Sequence, residues 1–63
     1  MKFPMNIKVY VDSNENYDFY IKHCDRVWYV EAYRKDNNEK TIGGFSTKKV
    51  ALECVESWKG WMK

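Results

Sequence analysis

The sequence is poor in several features that enzymes, metal sites and membrane spans require. It contains one histidine, one proline and one leucine, and no run approaches the roughly 18 apolar residues of a membrane-spanning helix. A single histidine leaves no paired acid–base constellation, and no Gly-x-x-x-x-Gly-Lys phosphate-binding loop is present. The only two cysteines, Cys24 and Cys54, are too few and too far apart for a zinc site. We therefore expect a protein that is not an enzyme, holds no metal or cofactor and spans no membrane.

The length and the N-terminal residues narrow the class of protein further. With 63 residues, the chain is expected to form one domain spanning 1–63. The N-terminal segment lacks the apolar core of a signal peptide. We therefore expect a cytoplasmic protein with both cysteines as reduced thiols.

Aromatic residues, at 17% of the chain, fall into patterns that predict the fold. Apolar and polar residues alternate in the early segments, and turn-forming residues separate these segments, which is typical of half-buried strands. Strands are predicted at 5–11, 17–23, 26–34 and 40–46, with Gly43-Gly44 marking a bulge or a close backbone approach. From Ser46 or Thr47, a plausible N-cap, the period becomes helical. The predicted apolar stripe of this helix is Val50, Ala51, Cys54, Val55, Trp58, Trp61 and Met62.

These elements predict an α+β fold, in which a small antiparallel sheet of three to four strands (β-β-β-β-α) carries one C-terminal helix on one face. One helix covers one face, so the other face stays open. Strand alternation places on it Lys8, Tyr10, Tyr20, Lys22, Tyr29, Glu31 and Tyr33. Two interpretations remain open: cross-strand aromatic pairs that stabilise the sheet, or an aromatic and basic platform that binds a ligand.

Charge adds a second candidate feature. The net charge of +2 is too small for a polyanion-binding protein that relies on bulk charge. However, basic residues outnumber acidic ones within 34–49, where Arg34, Lys35, Lys40, Lys48 and Lys49 stand. Such a cluster could contact a few phosphates, or it could be an ordinary solvated surface.

Residues 27–58 carry a resemblance to a known family. A Trp-initiated strand (Trp28) leads through a polar hairpin to a strand ending in Gly44-Phe45, and Thr47-Lys48-Lys49 then precedes an Ala-containing helix. This order resembles the AP2-like N-terminal DNA-binding domain of phage and transposon tyrosine integrases. The resemblance implies a sheet that docks on duplex DNA, and an accessory protein of a phage or mobile element. It implies DNA contacts by Tyr29, Glu31, Tyr33, Lys35 and Lys40, with Arg34 near a phosphate.

Two functions follow as expectations. The first is nucleic-acid binding, most specifically of DNA, through the open face and the basic segment. The second is a protein-interaction module or a phage-encoded modulator, including a homodimer, that uses the same tyrosines as anchors. An exposed Trp61 would then be an anchor for a second copy of the chain. For either function the candidate binding residues are Tyr10, Tyr20, Lys22, Tyr29, Tyr33, Arg34, Lys35, Lys40, Lys48 and Lys49.

Overall fold

The computed structural model describes residues 7–62 as four strands followed by one helix. The strands are β1 (Val9–Ser13), β2 (Tyr17–Cys24), β3 (Val27–Arg34) and β4 (Lys40–Phe45), and the helix is α1 (Lys48–Trp61). All neighbouring strands pair antiparallel in the order β1-β2-β3-β4, and α1 packs chiefly against β3. The predicted β-β-β-β-α fold is thereby confirmed.

The core lies between α1 and the facing side of the sheet. Strand alternation turns every second residue of β2 and β3 toward the helix, so that Phe19 and Ile21 lie opposite Ala32 and Val30. Complete burial of an aliphatic or aromatic side chain of this size stabilises the fold by roughly 1.5–3 kcal/mol. The buried apolar residues are Phe19, Ile21, Val30, Ala32, Ala51, Val55 and Met62.

Gly43 allows the helix to pack closely on β4. A Cβ atom at this position would lie 3.3 Å from Cη2 of Trp58 and 3.2 Å from Cε2 of Phe45. The predicted close approach is therefore real at Gly43. The β3–β4 register runs without interruption, so the bulge that the glycine pair also suggested is not there.

The irregularity lies instead in β1, between Tyr10 and Asp12. Alternation along residues 5–11 predicts a half-buried strand with Ile7, Val9 and Val11 on one face, and this prediction is only partly right. Val11 packs against the core, but Ile7 and Val9 are each 58% exposed. Because α1 packs over the strands from β2 to β4, it leaves the beginning of the edge strand β1 uncovered. The predicted start of this strand at positions 5 and 6 lies outside the described residues.

The helix begins as the sequence indicates, and its apolar stripe is narrower than predicted. Thr47 is the N-cap, and its Oγ1 accepts a 3.2 Å hydrogen bond from the Val50 amide. Val50 is 40% exposed and Trp61 is 67% exposed, so neither belongs to the core. Both lie about 80–100° around the helix axis from Ala51, at the border of the buried stripe.

Asn14, in the β1–β2 turn, joins the sheet to the end of the helix. Its Oδ1 accepts hydrogen bonds from the amides of Asn16 and Tyr17, at 2.9 and 2.8 Å. Its Nδ2 donates to the carbonyls of Lys59 and Met62, at 3.2 and 2.6 Å. Carbonyls at the end of a helix generally lack partners within it, so one side chain both forms the turn and caps α1.

Candidate nucleic-acid interface

The side of the sheet turned away from α1, here called the outer face, gathers most of the predicted binding residues. One row of residues crosses all four strands, with directly opposite positions in the order Tyr10, Tyr20, Glu31 and Ile42. Cross-strand pairs on both sides of this row form the rest of the surface. The outer face comprises Lys8, Tyr10, Ser13, Asp18, Tyr20, Lys22, Cys24, Val27, Tyr29, Glu31, Tyr33, Lys40, Ile42 and Gly44.

Three tyrosines of this face form a connected aromatic group. The Tyr20 ring contacts Tyr10 edge to face at a centroid distance of 5.7 Å and Tyr33 at 5.5 Å. The Lys8 ammonium lies 4.2 Å from the Tyr33 ring centroid and 5.0 Å from that of Tyr20. Edge-to-face pairs of this kind contribute about 0.5–1.5 kcal/mol beyond their burial. The cross-strand stabilisation that the sequence suggested is therefore present on the outer face.

Glu31, at the centre of the outer face, is buried although the helix lies on the other side of the sheet. It is only 3% exposed. The Tyr33 hydroxyl donates a 2.6 Å hydrogen bond to its Oε1, and Nζ of Lys22 lies 3.1 Å from its Oε2. Both carboxylate oxygens thus have a partner, which a buried charge requires.

The protonation of this group follows from its surroundings. Burial raises the pKa of Glu31, but the hydrogen bonds from Tyr33 and Lys22 outweigh it and leave the pKa below its ordinary value. The hydrogen bond and attraction of the same carboxylate raise the pKa of Lys22. The pair is therefore ionised at neutral pH, and its two charges cancel. A free carboxylate at this position would repel a polyanion, but Glu31 is covered and neutralised.

The remaining charge of the outer face is mostly positive. Within residues 7–62, neither Lys8 nor Lys40 forms a salt bridge with a carboxylate. Lys35, in the β3–β4 loop, lies 4.0 Å from Asp18, the only other acid that residues 7–62 place on this face. Lys8 and Lys40 are consequently the cations that this surface offers to an anionic ligand.

The basic segment 34–49 does not form one cluster, which corrects the sequence interpretation. Strand alternation places Arg34 on the side of the sheet that faces the helix. There it donates a 3.2 Å hydrogen bond to the Tyr17 hydroxyl and forms a 2.8 Å ion pair with Asp36. Lys48 and Lys49 lie in the first turn of α1. Alternation along β3 and the change from strand to helix separate these side chains from Lys40, so they are not part of the outer face.

A second aromatic group lies at the other end of the sheet, on the helix side. The rings of His23 and Trp28 stack with a centroid distance of 4.0 Å and an interplanar angle of 2°. Nζ of Lys48 lies 5.9 Å from the Trp28 ring centroid. This contact gives Lys48 a role in packing at the start of the helix.

Sequence reasoning did not include Lys8 and Ile42 among the candidate binding residues. Lys8 precedes β1, yet it stands two residues before Tyr10 and therefore shares the face of Tyr10. Ile42 lies opposite Glu31 and is 50% exposed. The alternation of β4 is a signal that would have placed Ile42 on this face, because Ile42 stands two residues after Lys40 and shares its face.

Two features are absent from the residues that the structure describes. Within 7–62, no helix is long and apolar enough to cross a membrane. The same residues contain no group of three or more histidine, cysteine, aspartate or glutamate side chains that could hold a metal ion.

Comparison with known proteins adds no relative from which a function could be transferred. No protein-family model, no curated protein and no solved structure matches the chain. The resemblance of residues 27–58 to the AP2-like domain of integrases therefore stays an expectation from the sequence pattern. The geometry of the outer face is the basis on which a function can be proposed.

Proposed function

We propose that the chain is a non-enzymatic binding protein that docks the outer face of its sheet on duplex DNA. The observation that carries the proposal is the neutralisation of Glu31, which is buried and held by Tyr33 and Lys22. The central acid thus presents no free charge, while Lys8 and Lys40 lack carboxylate partners within 7–62. A surface of this kind fits a phosphate backbone, where lysines supply most of the affinity.

The arrangement of the rings favours duplex over single-stranded DNA. Binding of single strands relies on bases that stack on free aromatic faces. Here Tyr20 is enclosed by Tyr10 and Tyr33, and Lys8 lies over two of these rings. The tyrosines therefore stabilise the surface and offer edges and hydroxyls, whereas the lysines contact phosphates.

Salt-dependent binding of a labelled DNA duplex, measured by fluorescence anisotropy, tests the proposal. Two to three phosphate contacts predict that log K falls against log salt with a slope of about −2 to −3. Lys40→Ala should weaken binding and reduce the slope by about 1. Lys49→Ala, which removes the same charge from the helix, is the matched control and should leave binding unchanged. Equal effects of the two variants, or no binding at low salt, would reject the proposal.

A protein partner is the second candidate, and one observation favours it. Tyr10 and Ile42, at opposite ends of the row across the sheet, are 55% and 50% exposed. Exposed aromatic and aliphatic side chains on one surface are typical anchors of protein interfaces. In that case Tyr10→Ala and Ile42→Ala would weaken a partner complex whose affinity changes little with salt.

A further inference from the structure

The two edges of the sheet differ in how well they are protected against pairing with another strand. β1 is interrupted by a register shift between Tyr10 and Asp12, and Asp12 forms a 2.6 Å ion pair with Lys59 of the helix. Bulges and charged side chains are common devices that prevent pairing at an edge. β4 pairs with β3 without interruption. Its one charged residue, Lys40, stands at its beginning, and residues 41–45 carry no charge and no proline. Of the two sheet edges formed by residues 7–62, the β4 edge is therefore the one open to a further strand.

The β3–β4 hairpin shows which backbone groups of β4 point outward. The Arg34 amide donates a 2.9 Å hydrogen bond to the Glu39 carbonyl, so this is a hydrogen-bonded pair of the ladder. Because such pairs alternate with non-bonded ones in an antiparallel ladder, every second residue of β4 turns its amide and carbonyl away from β3. The outward-facing groups belong to Lys40, Ile42 and Gly44.

We propose that this edge pairs with β4 of a second copy of the chain, antiparallel and centred on Ile42. This register pairs Ile42 with the same residue of the second copy, and Lys40 with Gly44 in both directions. It uses every outward-facing amide and carbonyl of Lys40, Ile42 and Gly44. The partner is a second copy because the strand is complementary to itself: the half-exposed isoleucines meet, and each lysine lies opposite a glycine rather than another lysine.

The symmetry of this pairing also fits the exposed apolar residues of the helix. The two-fold axis is perpendicular to the sheet, so both helices lie on one side and run antiparallel. Trp58 lies over Gly43 of β4, whereas Lys59 reaches Asp12 of β1 on the other flank. The helical period places Trp61 and Val50 on the side of the helix nearer β4, where they face the second copy. Both outer faces meanwhile share the opposite side of one eight-stranded sheet.

Analytical ultracentrifugation of the full chain, without nucleic acid, tests the dimer. The wild-type protein should show a concentration-dependent monomer–dimer equilibrium. Ile42→Lys, which places two cations against each other at the axis, should weaken the dimer by about tenfold or more. Thr41→Lys adds the same charge to the same strand, but lies opposite Gly43 on the helix side and should change the dimer little. A wild-type monomer up to about 1 mM, or equal effects of the two variants, would overturn the proposal.

Disulfide cross-linking tests the register in variants that fold as monomers. In a background with Cys24→Ser and Cys54→Ala, Ile42→Cys should form a covalent dimer with glutathione disulfide, because directly paired Cα atoms lie about 5.5 Å apart. Thr41→Cys should cross-link far less. Position 41 of one copy lies diagonally from position 41 of the other in this register, at about 7–8 Å. Equal cross-linking of both, or none of either, would contradict the register. These measurements contain no DNA, so their failure is distinct from failure of the proposed function.

Discussion

The Tyr33 hydroxyl donates a 2.6 Å hydrogen bond to Oε1 of Glu31, a carboxylate that is 3% exposed on the side of the sheet without a helix. The second oxygen of this carboxylate pairs with Lys22. A charge at the centre of the outer face is thus covered by its neighbours and cancelled. This relationship determines both the stability of the outer face and the charge that it presents.

Removal of the Tyr33 hydroxyl should destabilise the protein measurably. Tyr33→Phe keeps the ring contact with Tyr20 but leaves Oε1 of the buried Glu31 without its donor. We expect a loss of about 1–2 kcal/mol in the free energy of unfolding, measured by urea denaturation. Tyr10→Phe, on the same face and with no hydroxyl hydrogen bond among residues 7–62, is the control and should lie within about 0.5 kcal/mol of wild type. Equal losses in both variants would contradict this account.

Acidification should weaken the fold through Glu31. Its pKa in the folded protein lies below the ordinary 4.5, so its contribution is complete above that value and is lost as the pH falls through the folded pKa. The free energy of unfolding should therefore decrease as the pH falls from about 5 through the folded pKa of Glu31. Glu31→Gln should be less stable than wild type at pH 7, and this difference should shrink as the pH falls through the folded pKa of Glu31. A difference that stays constant with pH would show that the charge of Glu31 does not contribute.

The Asn14 side chain should be one of the most sensitive polar positions. Asn14→Ala removes two hydrogen bonds within the turn and two to the helix end, so we expect a loss of about 2–3 kcal/mol. Asn14→Asp keeps the acceptor but sets a negative charge against the C-terminal carbonyls, which should also destabilise. Asn37→Ala, in an exposed loop with one hydrogen bond to Glu39, is the control and should cost less than about 1 kcal/mol. Thermal and urea unfolding would rank the three variants.

The β2–β3 turn offers a stabilising substitution. Asp25 and Arg26 both have positive φ angles, of 54° and 67°, as a tight two-residue hairpin turn requires. An Asp-Gly sequence suits this turn better than Asp-Arg, because a side chain at positive φ costs about 1–2 kcal/mol. Arg26→Gly should therefore stabilise the protein by about 0.5–1 kcal/mol, whereas Arg26→Ala should not. A decrease in thermal stability on Arg26→Gly would contradict the turn geometry.

The sequence predicted the elements and faces that depend on periodicity alone. Alternation was sufficient to place Tyr10, Tyr20, Tyr29 and Tyr33 on one face, because strand side chains alternate strictly. The threonine at the helix start was likewise recognisable as a cap. These signals are local, and the fold therefore followed from them.

The contacts between elements could not be predicted in the same way. The reach of Asn14 to Met62, the cover over Glu31 and the position of Lys8 over Tyr33 depend on how the layers meet. The prediction of a basic cluster at 34–49 was wrong for the same reason. Side chains that are neighbours in sequence point to opposite faces along a strand, and the residues that follow belong to a helix. Charge density along a chain does not define a surface.

NMR titration of the isotopically labelled protein with a short DNA duplex tests the central proposal most directly. The account predicts chemical-shift changes that map to Lys8, Lys22, Tyr33 and Lys40, grow with DNA concentration and diminish as salt is added. Residues of α1 should change little. The absence of shift changes at low salt, or changes confined to α1 and the Trp28 end of the sheet, would contradict the assignment of the outer face as the DNA-binding surface.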